Sequence, residues 1–277
     1  MMLINNDEQL RQYLPNVLAT CEGEISLFDK LQFHLNNAEQ WLAENITGRD
    51  FISTCAGTEG DAATRALLCQ TIVAHAFRVA LPSLDLVLTS TGFGIVSNGN
   101  IAPASAERVA RLSESLLLLR DNLIDQLLFQ LCQNASWCET PQGHYFSATL
   151  FPSLELSRLA GHTSDLWEHY RTLRQQVLSI EYELATKYIS DALYARFRQH
   201  VLQQSLTASE LPIVVNLKNI EIELLAGKPL NYVLLTSLVN DIRSNPDDFP
   251  EWQSSPTAQL FCRPSFQNTK ESHGYWF

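Results

Sequence analysis

The sequence lacks an excess of basic residues, which limits the partners it can bind. It contains 19 Lys and Arg against 30 Asp and Glu, for a formal net charge of −11. No segment is basic enough to neutralise a phosphate backbone, so we expect no nucleic-acid partner. An acidic balance of this kind keeps a protein soluble or faces a basic protein partner.

Long apolar runs and a secretory leader are also lacking. A membrane-spanning helix needs about 18 or more consecutive apolar residues, whereas the longest leucine run, Leu116 to Leu119, ends at Arg120 and Asp121. The first residues, Met1 to Asp7, have neither the positive region nor the apolar region of a signal peptide. We therefore expect a cytoplasmic protein that does not associate with a membrane.

The cysteines lack the close spacing of a metal site or a disulfide framework. Six of them are scattered along the chain, and in a cytosolic protein we expect them to be reduced. The best metal candidates are Cys132, Cys138 and His144, with Cys55 or Cys69 as a fourth ligand. Structural zinc sites favour shorter spacings, and Cys132 lies on the apolar side of a predicted helix, as a buried thiol would. We predict no bound metal.

Motifs of catalysis and cofactor binding are missing as well. Gly92 and Gly94 supply two glycines of a dinucleotide fingerprint, but Ser97 holds the third position, and a hairpin turn explains the glycines better. The chain has no phosphate-binding loop, no G-x-S-x-G elbow and no H-E-x-x-H motif. His162 and His169 lack the Glu-x-x-His spacing of a di-iron site. We therefore predict no catalytic, cofactor-binding or metal-ligating residues and no cofactor.

Helical periodicity is what the sequence does contain. Apolar residues recur at three- and four-residue steps from Ile25 to Ile46, again from Asp61 to Val79, and most clearly from Ser105 to Leu131. Asp61 and Ser105 are suitable N-caps, and Asp165 with Glu168 forms a predicted capping box. This pattern predicts a mainly α protein in which long amphipathic helices pack together.

One segment breaks the helical pattern. Two β-prone runs flank a Ser-Thr-Gly centre, which predicts at most a small β-hairpin near residues 86–97. The apolar residues of the surrounding segment, 89–105, include the aromatic Phe93, which we take as a candidate interaction residue.

Composition changes suggest where the chain divides. Residues 134–163 lose periodicity and carry prolines and glycines, so we predict an N-terminal helical lobe over 1–140 and a C-terminal helical lobe over 141–246. Residues 247–277 are rich in Pro and Ser and are predicted to form an extended strap. The strap ends in Tyr275, Trp276 and Phe277, which we expect to dock on the chain's own helical lobe or, as the alternative, on a neighbouring subunit. Long helices occur in both lobes, but no fixed residue period supports a duplication.

Two segments resemble known families. Asn37 to Arg49, an amphipathic helix with a Thr-Gly-Arg stop, resembles the early helix of head–tail connector proteins of tailed phages. Thr91 to Asn98, Asn100 to Ser105 and Gly274 to Phe277 together resemble an uncharacterised bacterial family linked to prophage-like gene clusters. That resemblance implies a context and carries no established activity.

These observations predict a non-enzymatic structural or adaptor protein, a connector-like component of a prophage-derived particle. Its expected partners are proteins or further copies of itself. The alternative is a small-molecule-binding protein or an unrecognised enzyme with its site near residues 89–105. A deep polar pocket lined by titratable groups with shifted pKa values would favour that alternative.

Overall fold

The computed structural model describes residues 3–14, 25–56, 61–84, 86–89, 92–95 and 105–261. Within these residues the chain forms fourteen α-helices, two five-residue π-turns, a 3₁₀ turn at Leu81–Ser83 and one hairpin, which confirms the predicted mainly α fold. The helices are α1 Asp7–Tyr13, α2 Leu27–Leu42, α3 Arg49–Ala56, α4 Ala62–Ala80, α5 Ala106–Leu131, α6 Ala135–Cys138, α7 Pro141–Ser147, α8 Glu155–Leu159, α9 Leu166–Leu184, α10 Asp191–Leu202, α11 Glu210–Leu225, α12 Tyr232–Ser244, α13 Pro250–Gln253 and α14 Pro256–Leu260. The π-turns are Ala43–Thr47 and Ala185–Ile189.

Polar caps fix where the helices begin. The Asp61 carboxylate accepts the backbone N–H of Thr64 at 3.0 Å, as predicted. Ser105 takes the N-cap position of α5, although its side chain makes no capping hydrogen bond. The predicted box at Asp165 is replaced by a different arrangement, because the Leu166 N–H at the start of α9 donates to Asp121 of α5 at 2.8 Å.

The chain divides into two compact units, one of residues 1–177 with 198–205 and the other of 178–197 with 206–277. The core of the first unit is built around α4, which packs against both α2 and α5. Residues 62–83 are the one stretch in the described part of the chain with the length and apolarity of a membrane span, but half of it is buried inside the protein. Burial of this kind is typical of a core helix.

In the second unit, α11 packs against α12 through buried aliphatic side chains, and α13 and α14 complete the unit. The buried residues of these helices include Leu217, Ile220, Leu235, Leu238, Ile242 and Trp252.

This division does not follow the predicted lobes 1–140 and 141–246. The aperiodic stretch that suggested a boundary folds into α6, α7 and α8, and its Trp137 and Phe146 are fully buried in the first unit. Large apolar side chains at short, irregular spacing therefore build a core here without helical periodicity.

The predicted strap over 247–277 needs a similar correction up to residue 261. Pro250 and Pro256 begin the short helices α13 and α14, since proline at the first helical position is preset for the helix.

The predicted hairpin is confirmed. Strand β1, Leu86–Thr89, pairs antiparallel with β2, Gly92–Ile95, and Thr89 lies opposite Gly92. Phe93 lies in β2 opposite Leu88. The connecting segment that follows, 96–104, lies outside the described residues.

Candidate functional site

The first unit contains a compact motif that we call the first latch, formed by the π-turn Ala43–Thr47, Gly48, Trp137 and Thr140. Helix α2 ends in the π-turn, and the Gly48 N–H donates to the Ala43 carbonyl at 2.9 Å. Gly48 has φ 85° and ψ 149°, in the left-handed half of the map that favours glycine. The fully buried Trp137 donates its indole N–H to the Ile46 carbonyl at 3.0 Å.

The second unit contains the same motif, the second latch, formed by the π-turn Ala185–Ile189, Ser190, Trp252 and Ser255. Helix α9 ends in this π-turn, and the Ser190 N–H donates to the Ala185 carbonyl at 2.8 Å. Ser190 has φ 85° and ψ 144°, nearly the values of Gly48. The Trp252 indole N–H donates to the Tyr188 carbonyl at 2.9 Å. Tyr188 holds the place in its π-turn that Ile46 holds in the first.

The two latches also share their capping chemistry. Thr140 and Ser255 each donate to the carbonyl of the latch tryptophan, at 2.7 and 2.6 Å, and accept an N–H of the helix that follows. The next helix then begins with Pro141 or Pro256. Each latch thus turns a helix end, a tryptophan and a capped proline helix into one hydrogen-bonded assembly.

A third contact completes the match between the latches. The Gln142 amide donates to the Glu44 carbonyl at 3.2 Å, and the Thr257 hydroxyl donates to the Thr186 carbonyl at 3.3 Å. In each latch, the residue after the proline therefore bonds to the same position of the π-turn. The two units carry an internal structural repeat.

Helical periodicity does not reveal this repeat, but a short pattern does. The spacing W-x-x-[S/T]-P-x-x-x-x-F-x-x-x-x-F begins at Trp137 and again at Trp252. Its last residues are Phe146 and Phe151 in the first occurrence and Phe261 and Phe266 in the second. A search for repeated aromatic spacing would have found the latches.

A groove with a volume of about 650 Å³ lies beside the first latch. The π-turn, α7 and the first half of α9 line it with mostly polar side chains: Glu44, Asn45, Pro141, Gln142, Tyr145, Trp167, Glu168, Arg171, Thr172 and Gln175. Arg174 lies over the Tyr145 ring at 3.7 Å and donates its Nε–H to the Tyr145 carbonyl at 2.9 Å.

The charges around this groove are paired with near neighbours. Glu44 bonds to Arg49 at 3.1 Å, and Glu168 bonds to Arg171 at 3.3 Å. Hydrogen bonds from Gln40 and Arg49 hold the pKa of the Glu44 carboxyl below its usual value. A carboxylate of this kind is a stable anion, so it is unsuited to act as a general acid near neutral pH.

Farther inside the first unit lies a buried ion pair. Arg120 and Asp121, neighbours on α5, are joined by bonds of 2.7 and 3.1 Å, and Arg120 also reaches Asp165 at 3.1 Å. Because the second oxygen of Asp121 accepts the Leu166 N–H, this pair fixes the start of α9 against α5.

His75 of α4 lies in the same region and stacks on Trp41 with a centroid distance of 4.3 Å. Burial, followed by the charges of Arg120 and Arg78, lowers the pKa of His75 to about 4. The imidazole is therefore neutral under ordinary conditions.

The second unit has its own, partly buried charge cluster. Arg196 bonds to Glu210 at 3.0 Å and to Glu251 at 2.7 Å, which ties α10, α11 and α13 together. The Tyr194 hydroxyl donates to the buried Glu221 at 2.7 Å. These partnered carboxylates serve as cross-links between helices.

The cysteine and histidine candidates are held by ordinary packing. Cys132 is buried, as predicted, and burial raises the pKa of its thiol to about 12. The Cys138 thiol donates to the Cys132 carbonyl at 3.5 Å. His162 and His169 stack with a centroid distance of 3.6 Å. Over the described ranges, no three His, Cys, Asp or Glu side chains are grouped as a metal site would require.

Of the candidate interaction residues, Phe93 alone belongs to the described part of the chain. Phe93 lies in strand β2. Tyr275, Trp276 and Phe277 lie outside the described residues, as do residues 90, 91 and 96–104 of the 89–105 segment.

Comparison with known proteins places the first half of the chain in a family. Residues 8–147, just over half of the sequence, match a family of unknown function, DUF6712. This range begins in α1 and ends with α7, so it contains the whole first latch. No curated protein and no solved structure matches the chain.

Proposed function

Since the chain belongs to the DUF6712 family, whose description gives no activity, we propose from its own surface chemistry that it is a non-enzymatic structural or adaptor protein. It works by presenting helical packing surfaces to protein partners. The observation that carries this proposal is the set of large apolar side chains left exposed on the outer faces of its helices.

These exposed apolar side chains occur in both units. The first unit has them at Ile25, Phe33, Val79, Leu118, Leu119, Phe129 and Leu159, and the second at Tyr182, Leu211, Val215, Tyr232, Val233 and Leu260. Single exposed apolar residues are ordinary on soluble proteins. Pairs on one helix face, such as Leu211 and Val215 one turn apart on α11, are better explained as contact surface for a protein.

The ionisable groups support a structural role over catalysis. Two groups have pKa values far from their ordinary ones: His75, which stays neutral, and Cys132, which stays a thiol. A thiol with a pKa raised to about 12 is inert as a nucleophile, since the thiolate is the reactive form. Neither residue lines the groove beside the first latch. The alternative of an enzyme or small-molecule site therefore gains no support from this groove.

The local resemblances give the proposal its context. The segment Asn37 to Arg49, which resembles the early helix of phage head–tail connectors, forms the end of α2, the first π-turn and the left-handed Gly48. It is thus the structural centre of the first latch. We extend the proposal accordingly to a connector-like component of a prophage-derived particle.

The proposal is tested by particle composition. In a host that carries the intact prophage-like gene cluster, particles would be induced, purified by density and analysed by mass spectrometry. We expect the chain at a fixed stoichiometry in the particles, and we expect deletion of its gene to leave separate heads and tails. Complete particles that form without the chain would refute the proposal.

A further inference from the structure

In the first unit, the first latch is closed on one side by the beginning of α9. The Phe146 ring lies 6.2 Å from Trp167 and 5.7 Å from Tyr170, and the Tyr170 hydroxyl donates to the Phe151 carbonyl at 3.0 Å. All four side chains are buried. The first latch therefore packs against the opening turns of the helix that leads into the second π-turn.

The second latch has the corresponding aromatic residue but a more open surface. Phe261 follows Pro256 at the interval that separates Phe146 from Pro141, and its ring lies 6.1 Å from Trp252. Leu260, at the position of Tyr145, is 72% exposed. The described residues end at 261, and none of them packs on Phe261 in the way that Trp167 and Tyr170 pack on Phe146.

Helix α2 is the counterpart of α9, because each leads into a π-turn. When the two π-turns are aligned, Leu35 and Leu42 of α2 coincide with Val177 and Leu184 of α9, and all four are buried. The same alignment places Ile25 at the position of Trp167 and Phe28 at the position of Tyr170.

The face of α2 that corresponds to the latch-contacting face of α9 is exposed. The α9 residues that line the groove beside the first latch correspond to Ile25, Ser26, Asp29, Lys30 and Phe33. Ile25 is 68% exposed and Phe33 is 69% exposed. Within the described residues, α2 thus presents an exposed face at Ile25 and Phe33, and the second latch presents the exposed Leu260 of α14.

We propose that copies of this chain assemble head to tail, with the exposed face of α2 from one copy seated on the second latch of the next. This inference deepens the proposed function by naming a second copy of the chain as the partner. The contact repeats between two molecules what α9 and the first latch form within one.

Charge supports the match between the two surfaces. Lys187 of the second π-turn takes the position of Asn45, and Asp29 of α2 takes the position of Arg171. Both Asp29 and Lys187 are exposed, so the proposed contact places opposite charges at the positions from which Arg171 and Asn45 line the groove beside the first latch. Because the two surfaces differ, the contact is heterologous, and it generates a ring if the rotation closes or a filament if it does not.

The rival occupant of the second latch is the chain's own segment 262–277. It carries Phe266 at the position of Phe151 and ends in Tyr275, Trp276 and Phe277. Deleting this segment is expected to have different effects on self-association in the two cases. Loss of a competing tail would expose the latch and promote association, whereas a latch that already binds a second copy is unaffected.

The test is sedimentation velocity of the full chain across a wide range of concentrations. We expect concentration-dependent assembly that is lost in Leu260→Asp and in Phe33→Asp. Val233→Asp, at an 84% exposed site on α12 that belongs to neither surface, is the control and keeps assembly. Mixing the Leu260→Asp and Phe33→Asp proteins restores a single dimer, because each protein retains the surface that the other has lost.

Several outcomes overturn the proposal. They are a wild-type chain that stays monomeric throughout, assembly that survives Leu260→Asp, and a monomer that associates only after deletion of 262–277, which would assign the latch to the chain's own tail. If an aspartate variant fails to fold, cysteine trapping replaces it. Ile25→Cys in one chain is then expected to form a disulfide with Leu260→Cys in another, but not with Val233→Cys. A negative result here leaves the particle-composition test of the proposed function standing, since that test does not require self-association.

Discussion

The indole of Trp137 donates to the Ile46 carbonyl at 3.0 Å, across ninety-one positions of sequence. Trp137 is fully buried, so this bond holds α6 against the π-turn that follows α2. The indole N–H of Trp167 is buried as well, but it has no hydrogen-bond partner among the described residues. The two tryptophans therefore provide a natural comparison between a bonded and an unbonded indole.

Trp137→Phe is expected to destabilise the first unit more than Trp167→Phe. Both changes remove ring volume from a buried site, but only the first leaves a carbonyl without its donor, which costs about 1–3 kcal/mol. Urea unfolding followed by circular dichroism measures the difference. Equal losses of unfolding free energy in the two variants would show that the Trp137 hydrogen bond adds nothing beyond ring packing.

Gly143→Ala is expected to lower the melting temperature strongly. A Cβ atom at this position would lie 2.2 Å from the Trp137 carbonyl oxygen and 2.7 Å from the Cys138 Cα, which are backbone atoms that cannot turn away. Overpacking of this kind costs roughly 1–3 kcal/mol or more. Gly161→Ala is the control, because that glycine has nothing within 4 Å and only its φ of 92° opposes a side chain. A Gly143→Ala protein that melts with the wild type would contradict the close approach of α6 and α7.

Asp121→Asn is expected to cost about 3–5 kcal/mol of unfolding free energy, because it removes the buried anion of Arg120 and leaves only the partly exposed Asp165 as a partner. Asp165→Asn removes the other partner of Arg120, but the Asp165 side chain is 41% exposed, so we expect a loss of about 1 kcal/mol or less. Replacing the pair together, as Arg120→Met with Asp121→Asn, should recover much of the stability, because the asparagine side-chain oxygen can still accept the Leu166 N–H. A double variant as unstable as the sum of its single changes would argue against coupling of the two residues.

The stability of the protein should fall as pH decreases from 6.5 towards 4, in part because of His75. The pKa of His75 is lowered from 6.5 to about 4 in the folded protein, so the unfolded chain binds a proton in this range before the folded chain does. Stability from the neutral imidazole is therefore complete above about pH 6.5 and is lost through pH 4, by roughly 3 kcal/mol at most.

His75→Phe keeps a ring beside Trp41 and should flatten this part of the stability profile. His144→Gln, at an exposed position on α7, is the control and should leave the profile as it is. Unfolding free energies measured at steps from pH 7 to pH 4 decide the matter. Parallel profiles for wild type and His75→Phe would mean that His75 titrates normally.

Periodicity in the sequence is enough to predict the long helices and the hairpin, because both depend on local patterns of apolar residues and turn formers. It is not enough to predict the latches. These depend on contacts between segments far apart in sequence, such as Trp137 with Ile46 and Trp252 with Tyr188. The fold of 134–163 was missed for the same reason, since fully buried Trp137 and Phe146 follow no helical period.

The missing fixed period also has a physical explanation. The spacing between the two π-turns is longer than the spacing between the two latch tryptophans. The first unit joins α4 to the 26-residue α5 through the hairpin segment, whereas the second joins α11 to the 13-residue α12 through a short connection. The insertion lies between the matched elements of one unit only, so no single offset aligns the whole repeat.

The π-turns tolerate substitution of their residues better than insertion or deletion of a residue. In each, an N–H bonds to the carbonyl five residues earlier, where an α-helix would use four. One residue of an α-helix corresponds to about 100° of rotation, so a single deletion within 43–47 would turn the Ile46 carbonyl away from Trp137. The residue type at the end of the π-turn can vary, since glycine at 48 and serine at 190 adopt the same backbone conformation. Inherited variation at these positions should therefore consist of substitutions, with gains and losses of single codons eliminated by selection.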